Sequence, residues 1–275
     1  MPGGFFKSVV PDDGRELPDI DTSVAHQARV YDYTLGGKDN FAADREAAER
    51  AIQANPDVVA TARANRAFLG RAVRFLAGEA GIRQFLDNGT GIPSAGNTHE
   101  VAQGVAPESR IVYVDNDPIV LAHARALLTS APEGRTAYLD ADARDPDTIL
   151  ARAAGTLDFS QPVAIMMLLI LQVIDDPYAV TSRLLDAVPA GSYLAVSIPA
   201  SDIQPEASAA AARRVIEDIP GISFTLFSHA EVARFFDGLE LLEPGVVPVN
   251  RWRPGPGGPD VARDLPCHVA VGRKR

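Results

Sequence analysis

The amino-acid sequence predicts an α/β fold with a doubly wound, mostly parallel sheet, an antiparallel C-terminal edge and an N-terminal helical lid. Helical periodicity dominates residues 55–78, and short apolar runs alternate with helix starts from residue 82 onward. The last apolar runs follow one another with no long helix between them. Strands that alternate with helices are typical of parallel sheets, whereas strands in direct succession favour antiparallel pairing.

The N-terminal region is predicted to contain an arm followed by helices. Residues 1–20 carry proline, glycine and aspartate without periodicity, which indicates a loosely held arm. Asn55, Pro56 and Asp57 provide an N-cap, a first-turn proline and an acidic residue for a helix that ends near Gly78. We therefore expect helices within the first 80 residues of the chain.

Five apolar runs in the middle of the chain predict the parallel strands. These runs are residues 84–86, 111–114, 136–139, 163–171 and 193–198. Helices are predicted to begin at about Thr98, Pro118, Pro177 and residue 205. Asp117 and Asp176 each precede a proline, and this pair of residues is typical of an N-cap and a first helical position.

The C-terminal region predicts the antiparallel edge. Strands are expected over residues 239–242, 246–249 and 268–271, and residues 253–259, rich in proline and glycine, are expected to form a loop. These features divide the chain into residues 1–80, an arm and helical lid, and residues 81–275, the sheet domain. We expect the two parts to form one compact unit.

Composition and charge disfavour several functional classes. The chain has 275 residues, of which 46% are hydrophobic, and a formal net charge of −10. This balance argues against binding to nucleic acid or to an anionic membrane, since both need clustered Lys and Arg. The N-terminus resembles no signal peptide, and the single cysteine, Cys267, fits a reducing compartment. We therefore expect a cytoplasmic protein. We expect no metal site, because no His/Cys/Asp cluster in the sequence has the spacing of metal ligands.

A glycine-bearing turn follows the first predicted strand, in the sequence FLDNGTGIPS of residues 85–94. Such turns let a backbone approach a nucleotide, both in dinucleotide-binding sheets and in sheets that bind S-adenosylmethionine (SAM). The dinucleotide fingerprint GxGxxG fits poorly, because a serine replaces its third glycine and a proline precedes that serine. The DxGxG pattern of SAM-binding sheets fits Asp87, Gly89, Thr90 and Gly91, and Asp87 can reach the charged amino group of SAM.

Two further acidic positions follow the second and third predicted strands. Asp115, with Asn116 after it, can accept hydrogen bonds from both ribose hydroxyls, as the corresponding acid does in NAD-binding proteins. Asp142 can present a carboxylate to the adenine amino group, and Ala143 can present a backbone N–H to the ring. Each residue taken singly also fits a turn or a solvated loop. The ordered set, with Asp87, favours SAM.

Longer segments show a resemblance to a known family. They include ARVYDYTLGGKDNF (residues 28–41), NRAFL (65–69) and YVDNDPIVLAHARALL (113–128), and they accompany the glycine turn. Over residues 19–275 the chain resembles a family of SAM-dependent methyltransferases with class I, Rossmann-like architecture. The resemblance implies that fold, SAM as the cofactor and methyl transfer as the reaction. It does not name the acceptor.

The architecture of this family also implies a role for the N-terminal segment, which is expected to close over the cofactor. Tyr31, Tyr33, Lys38 and Asn40 surround a pair of glycines, and this combination suits a mobile lid that contacts the substrate. The alternative for Asn40, or for the aspartate before it, is a cap of the following helix.

Arg66 and Gln172 are the remaining candidate site residues. Arg66 is suited to pair with the carboxylate of SAM, and a solvated arginine is the alternative. Gln172 follows the fourth strand, where related sequences carry a histidine that faces the methyl-transfer site. An amide cannot act as a general base, so Gln172 is expected either to orient the acceptor or only to close the strand.

Three functions are compatible with these patterns. The first is a SAM-dependent methyltransferase for a small-molecule acceptor, which the acidic charge and the lack of a basic, aromatic stripe favour over a nucleic-acid substrate. The second is a SAM-binding sensor or interaction protein without turnover. The third, a nicotinamide-dependent oxidoreductase, is disfavoured by Asp87 and by the missing third glycine. We expect the first.

Overall fold

The computed structural model describes residues 21–127, 130–206, 209–210, 213–214, 218–219, 224–255 and 261–275. The predicted arm over residues 1–20 lies outside this set. Parts of the predicted helix over 205–218 and of the predicted loop over 253–259 lie outside it as well.

The described elements follow the predicted alternation of helices and strands. The helices are α1 (Gln27–Thr34), α2 (Ala42–Ala54), α3 (Val58–Gly78), α4 (Thr98–Val105), α5 (Pro118–Leu127), α6 (Pro146–Ala153), α7 (Pro177–Asp186) and α8 (His229–Arg234), with a 3-10 turn at Leu171–Val173. The strands are β1 (Gln84–Asn88), β2 (Arg110–Asp115), β3 (Arg135–Asp140), β4 (Ala164–Leu168), β5 (Tyr193–Pro199), β6 (Leu239–Leu241), β7 (Val247–Pro248) and β8 (Cys267–Lys274). Among these helices, none is long and apolar enough to cross a membrane.

The strands form one sheet in the order β3-β2-β1-β4-β5-β8-β6, and β7 also pairs with β8. Strands β1 to β5 are mutually parallel, whereas β8 runs antiparallel to β5, β6 and β7. The predicted doubly wound sheet with an antiparallel C-terminal edge is thus confirmed. The strand order reverses between β1 and β4, and ligands of such sheets bind in the crevice beyond the carboxyl ends of the strands at that point.

Both faces of the sheet are buried. Alternate residues of β1 point to opposite sides, so that Leu86 packs into one hydrophobic core and Phe85 into the other. Helices α6 and α7 cover the first face, and α3 covers the second through residues such as Phe68 and Leu76. Helix α3 therefore belongs to the core, which fixes the position of its cavity-facing residues.

The start of α3 differs from the prediction. The helix begins at Val58 with Asp57 at its N-cap, and Asn55 is the C-cap of α2 instead. The side chain of Asn55 accepts a hydrogen bond of 3.0 Å from the backbone N–H of Asp57. Asparagine favours such local turns, so this residue joins the two helices and does not start the second one.

Candidate active site

A cavity of about 390 Å³ opens at the carboxyl ends of β1, β2 and β4. It lies at the reversal of strand order, where the topology of the sheet predicts a ligand. The structure brings together around it all eight residues that the sequence assigned to the cofactor. These are Asp87, Gly89, Thr90, Gly91, Asp115, Asn116, Asp142 and Ala143.

The glycine turn brings β1 close to the end of β4. Gly89 and Gly91 have φ angles of 69° and 67°, a region that favours glycine. A Cβ atom on Gly89 would lie 2.6 Å from the side chain of Ile170, so only glycine fits at this approach. A Cβ atom on Gly91 would meet no atom within 4 Å. The backbone of Gly91 thus lines the cavity and faces open space.

The carboxylate of Asp115 is held in a fixed orientation. Its Oδ2 accepts a hydrogen bond of 2.8 Å from the N–H of Gly91, and its Oδ1 accepts one of 2.9 Å from the N–H of Asp117. Burial raises the pKa of Asp115. A carboxylate has about four acceptor sites, so two remain for the paired hydroxyl groups of a ligand.

Asp87 lies beside Asp115, at the end of the neighbouring strand. Its Oδ2 accepts a hydrogen bond of 2.6 Å from the hydroxyl of Thr98, the first residue of α4. Burial raises the pKa of Asp87 to about 6, although the positive charge of Arg66 acts in the opposite direction. A buried acid of this kind is stabilised in its ionised form when a cationic group binds next to it.

Arg66 lines the same cavity from α3. Its guanidinium donates to the carbonyl of Ala95 at 3.1 Å and to Oδ1 of Asn97 at 3.4 Å. No described carboxylate forms a salt bridge with it. The cavity therefore combines two buried acids with an arginine that is free to bind an anionic group.

Asp142 lines the cavity and is already paired with Arg144. Arg144 donates to both of its oxygens, from Nε at 2.9 Å to Oδ1 and from Nη2 at 2.6 Å to Oδ2. This pairing lowers the pKa of Asp142. The carboxylate keeps lone pairs for a further donor, and the adjacent Ala143 also lines the cavity.

Three of the predicted lid residues do not line the cavity. The hydroxyl of Tyr33 donates to Glu49 at 3.0 Å, and Lys38 is exposed. The amide of Asn40 donates to Oδ2 of Asp32 at 2.8 Å, which holds the glycine-containing turn closed. The structure therefore gives no support for a direct substrate contact by these three residues.

The predicted cap of α2 is also wrong. Phe41 is the N-cap residue, and its N–H donates to Oδ2 of Asp44 at 2.8 Å. Neither Asn40 nor the aspartate before it takes this position, because the acid three residues after the N-cap closes the first turn from inside the helix.

Tyr31 is the predicted lid residue that does reach the cavity. Its hydroxyl donates to the carbonyl of Ala62 at 3.1 Å and accepts from the amide of Asn65 at 3.1 Å. Burial raises the pKa of Tyr31 to about 12. The phenol is therefore a fixed, neutral group that joins α1 to α3.

Of the two roles expected for Gln172, the structure gives no contact for orienting an acceptor, because this residue does not line the cavity. Its side chain is buried, and its Nε2 donates a hydrogen bond of 2.7 Å to the carbonyl of Leu169. Leu169 lines the cavity with a φ of 53°, an uncommon conformation for a leucine. Its N–H donates to the carbonyl of Ser197 on β5 at 2.9 Å. Gln172 thus supports a strained residue of the cavity wall and does not contact the space itself.

His26 and Asn65 are among the polar cavity residues that were not predicted from the sequence. The Nδ1 atom of His26 lies 2.8 Å from Oδ2 of Asp117, which links the start of α1 to the end of β2. The Oδ1 atom of Asn65 is buried and has no hydrogen-bond partner in the described structure. Asn65 stands next to Arg66 in one of the family-like segments, and that adjacency was the available signal for it.

No group of three or more His, Cys, Asp or Glu side chains within the described ranges is arranged to hold a metal ion.

Comparison with known proteins identifies the family. A family model described as S-adenosyl methyltransferase matches residues 13–275. The chain belongs to this family. This S-adenosyl methyltransferase is similar to a DUF574 family protein from Streptomyces avermitilis, with 48% identity, coverage of 94% of this chain and 100% of that one, and a TM-score of 0.89.

The chain is also similar to two further solved structures. A Thermobifida fusca protein, provisionally assigned as a methyltransferase, is 43% identical, with a TM-score of 0.85 and coverage of 94% and 98% of the two chains. The mitomycin 7-O-methyltransferase is 17% identical over 80% of this chain and 56% of its own, with a TM-score of 0.50, a likeness of fold alone. None of the curated proteins compared with the chain matches it significantly.

Family membership confirms the cofactor and the reaction class predicted from the sequence. The protein is a SAM-dependent methyltransferase. The alternatives of a nicotinamide-dependent oxidoreductase and of a SAM-binding protein without turnover are therefore set aside.

Proposed function

We propose that the enzyme methylates a small-molecule acceptor and binds SAM in the cavity at the ends of β1, β2 and β4. One observation carries the assignment of the site: Asp87 and Asp115, at the ends of neighbouring parallel strands, both line this cavity. SAM, when bound, supplies a methyl group on a positively charged sulfur. The chain's part is to hold the cofactor and the acceptor in line and to exclude water.

Each polar part of the cofactor has a matching group in the cavity. We assign the ribose hydroxyls to the two remaining acceptor sites of Asp115, and the α-ammonium group to Asp87. The carboxylate of the methionine part is assigned to Arg66, because a guanidinium binds a carboxylate in a bidentate manner. At the adenine end, Asp142 and the N–H of Ala143 are the proposed contacts, with Asp142 also paired to Arg144.

One feature of the glycine turn supports this fit. Gly91 presents its backbone to open space at the cavity, where a larger residue would extend into it. A bound cofactor accounts for the close approach that glycine allows at this position.

We propose that the lid consists of α1 and α2, within the predicted unit of residues 1–80. The buried pair of Arg29 and Asp44, at 3.1 Å, joins the two helices. His26, at the N-cap of α1, reaches Asp117 next to the ribose-binding acid. These contacts support a lid that lies over the cofactor cavity. The division at residue 80 stays a prediction, and α3 packs with the sheet.

A small acceptor is favoured over a polymer by the surroundings of the site. The wall formed by α1 covers the cavity through Gln27 and Tyr31. The formal net charge of −10 disfavours a polyanionic substrate.

The single cysteine, buried and free, agrees with a reducing compartment, and we propose the cytoplasm.

Methyl-labelled SAM tests this proposal. The enzyme is incubated with labelled SAM and a cell extract, and the products are separated by size into small molecules, nucleic acid and protein. We expect a labelled small molecule other than SAM, resolved from it by chromatography, that depends on the enzyme and is not formed with the Asp115→Ala variant. Label that enters RNA, DNA or protein instead would contradict a small-molecule acceptor.

A further inference from the structure

A second cavity, of about 220 Å³, lies next to the cofactor cavity. It is bounded by α1, α2 and the start of α3 on one side and by residues that follow β5 on the other. The two cavities share Gln27, Tyr31 and Leu169 in their walls. A molecule in the second cavity would therefore meet the cofactor at these three residues.

The second cavity carries no formal charge on its described walls. None of the lining residues that the structure describes is an Asp, Glu, Lys, Arg or His. Most are aliphatic or aromatic, such as Val58, Ile219 and Phe224. An ionised ligand would lose its hydration there without gaining a counter-ion, and this cost excludes charged molecules.

The titratable groups in this wall are kept neutral. Burial raises the pKa of the Cys267 thiol and of the Tyr31 phenol to about 12 each. Neither group can act as a base near neutral pH. The reacting atom of the acceptor must therefore present its lone pair without help from these groups.

Most polar groups around the second cavity already have partners. The amides of Asn55 and Gln204 bond to each other in both directions, each at 3.2 Å. The hydroxyl of Thr34 donates to the carbonyl of Val30 at 2.9 Å. The Oγ1 atom of Thr61 has no partner among the described residues, but it is fully buried and does not open onto the cavity. The wall therefore offers a ligand mainly apolar contacts.

We propose that this second cavity binds the methyl acceptor, and that the acceptor is a neutral, largely apolar small molecule. The inference rests on the proposed function, since it places the acceptor beside the SAM cavity. A volume of about 220 Å³ is below the usual range of about 300–1,000 Å³ for drug-sized ligands, which favours a compact molecule.

The transfer step balances without a protein base. The lone pair of the acceptor atom forms a bond to the methyl carbon as the carbon–sulfur bond breaks, and that bonding pair stays on sulfur. S-adenosylhomocysteine is released. A proton on the acceptor atom, where there is one, leaves to solvent after transfer, so an unprotonated amine nitrogen or a sulfur atom suits this wall.

A set of naphthalene probes tests the charge preference. The full-length enzyme, saturated with S-adenosylhomocysteine, is titrated at neutral pH with 2-naphthol, 2-naphthoate and 2-naphthylmethylammonium, which differ mainly in charge. We expect 2-naphthol to bind at least tenfold more tightly than either ion. Equal binding of an ion would overturn the proposal.

Two variants locate the bound probe. Ala51→Met fills the second cavity from α2 and is expected to weaken 2-naphthol at least tenfold while SAM affinity stays within twofold. Ala42→Met, on an exposed position of the same helix, is the matched control and should change neither affinity.

The outcomes separate this inference from the proposed function. If the wild type fails to bind SAM, the cofactor assignment itself is wrong. If SAM binds and 2-naphthol does not, or if Ala51→Met leaves 2-naphthol binding unchanged in folded protein, only the acceptor cavity is refuted. Light scattering on the same samples then shows whether a second copy of the chain covers the cavity.

Discussion

The backbone N–H of Gly91 donates a hydrogen bond of 2.8 Å to Oδ2 of Asp115. This bond joins the glycine turn after β1 to the acid at the end of β2. The N–H of Gly89 donates to the carbonyl of Val114 at 2.8 Å and strengthens the same junction. The turn and the acid thus form one structural unit, in which the backbone orients the carboxylate proposed to bind ribose.

Gly91→Ala should lower both the free energy of unfolding and the affinity for SAM. A φ of 67° costs a non-glycine residue about 1–2 kcal/mol, and the added methyl group would extend into open space at the cavity. We expect a loss of about that size in the free energy of unfolding and at least a tenfold loss of SAM affinity. Gly104→Ala in α4 is the control, and there alanine should be neutral or stabilising. Equal SAM affinity of the wild type and Gly91→Ala would show that this turn does not contact the cofactor.

SAM affinity should rise with pH through the titration of Asp87. Its pKa of about 6 means that the acid is largely protonated at about pH 5 and ionised at about pH 7. Only the ionised form attracts the α-ammonium group. Calorimetry should show tighter binding at the higher pH for wild type and weak binding with little pH dependence for Asp87→Asn. A pH-independent wild-type affinity would contradict the assignment.

The same variant should be more stable than the wild type without ligand. The folded-state pKa of about 6 lies above the usual 3.8, so the folded protein binds this proton more tightly than the unfolded chain. The free energy of unfolding therefore falls as the pH rises from about 4 to about 6, and the whole cost remains at higher pH. At about pH 7, Asp87→Asn should gain up to ~3 kcal/mol, from ~1.4 kcal/mol for each pKa unit. A lower melting temperature for the variant would assign Asp87 a structural role.

Arg66→Gln should weaken SAM binding by about tenfold or more, because it removes the cation assigned to the cofactor carboxylate. Arg63→Gln, on an exposed position of the same helix, provides the matched control. Titration with SAM and with 5′-methylthioadenosine, which lacks the amino-acid part, locates the effect. If Arg66→Gln weakens both ligands equally, Arg66 does not contact the carboxylate.

Asp44→Asn should destabilise the lid. Asp44 and Arg29 are both buried, and Asp44 also accepts from the N–H groups of His26 and Phe41. Removal of one partner of a buried ion pair costs about 3–5 kcal/mol. Asp147→Asn breaks an exposed pair with Arg183 and should cost no more than ~1 kcal/mol. Similar losses for the two variants in chemical denaturation would show that the buried pair does not hold the lid.

The parts of the fold that the sequence predicted well are those with local signals. Strand runs and proline-marked helix starts, such as those at Pro118 and Pro177, depend on neighbours within a few residues. The acids at Asp87 and Asp115 could be brought together from strand order, because parallel strands present their carboxyl ends at one edge. The hydrogen bond from Gly91 that holds the carboxylate of Asp115 could not be predicted, since it depends on turn geometry.

The predictions that the structure does not support concern side chains whose direction depends on turn and loop geometry. Gln172 turns away from the cavity because it bonds to Leu169, whose unusual φ is supported by a bond to β5. Asn40 is occupied by Asp32 eight residues before it, and no pattern in the sequence marks that pair. Asn55 resembled an N-cap because the residues after it suit a helix, although it ends the preceding one. In each case residue type was informative and orientation was not.

The most direct test of the account is calorimetric titration of SAM into the wild type, Asp115→Ala and the control Asp140→Ala, which lies at the exposed end of β3. We predict saturable SAM binding by the wild type and by the control. Asp115→Ala should bind SAM at least a hundredfold more weakly while it keeps the melting temperature of the wild type. That loss corresponds to about 3 kcal/mol, the size expected for two hydrogen bonds to a charged group. Undiminished binding by folded Asp115→Ala would show that the cofactor lies elsewhere.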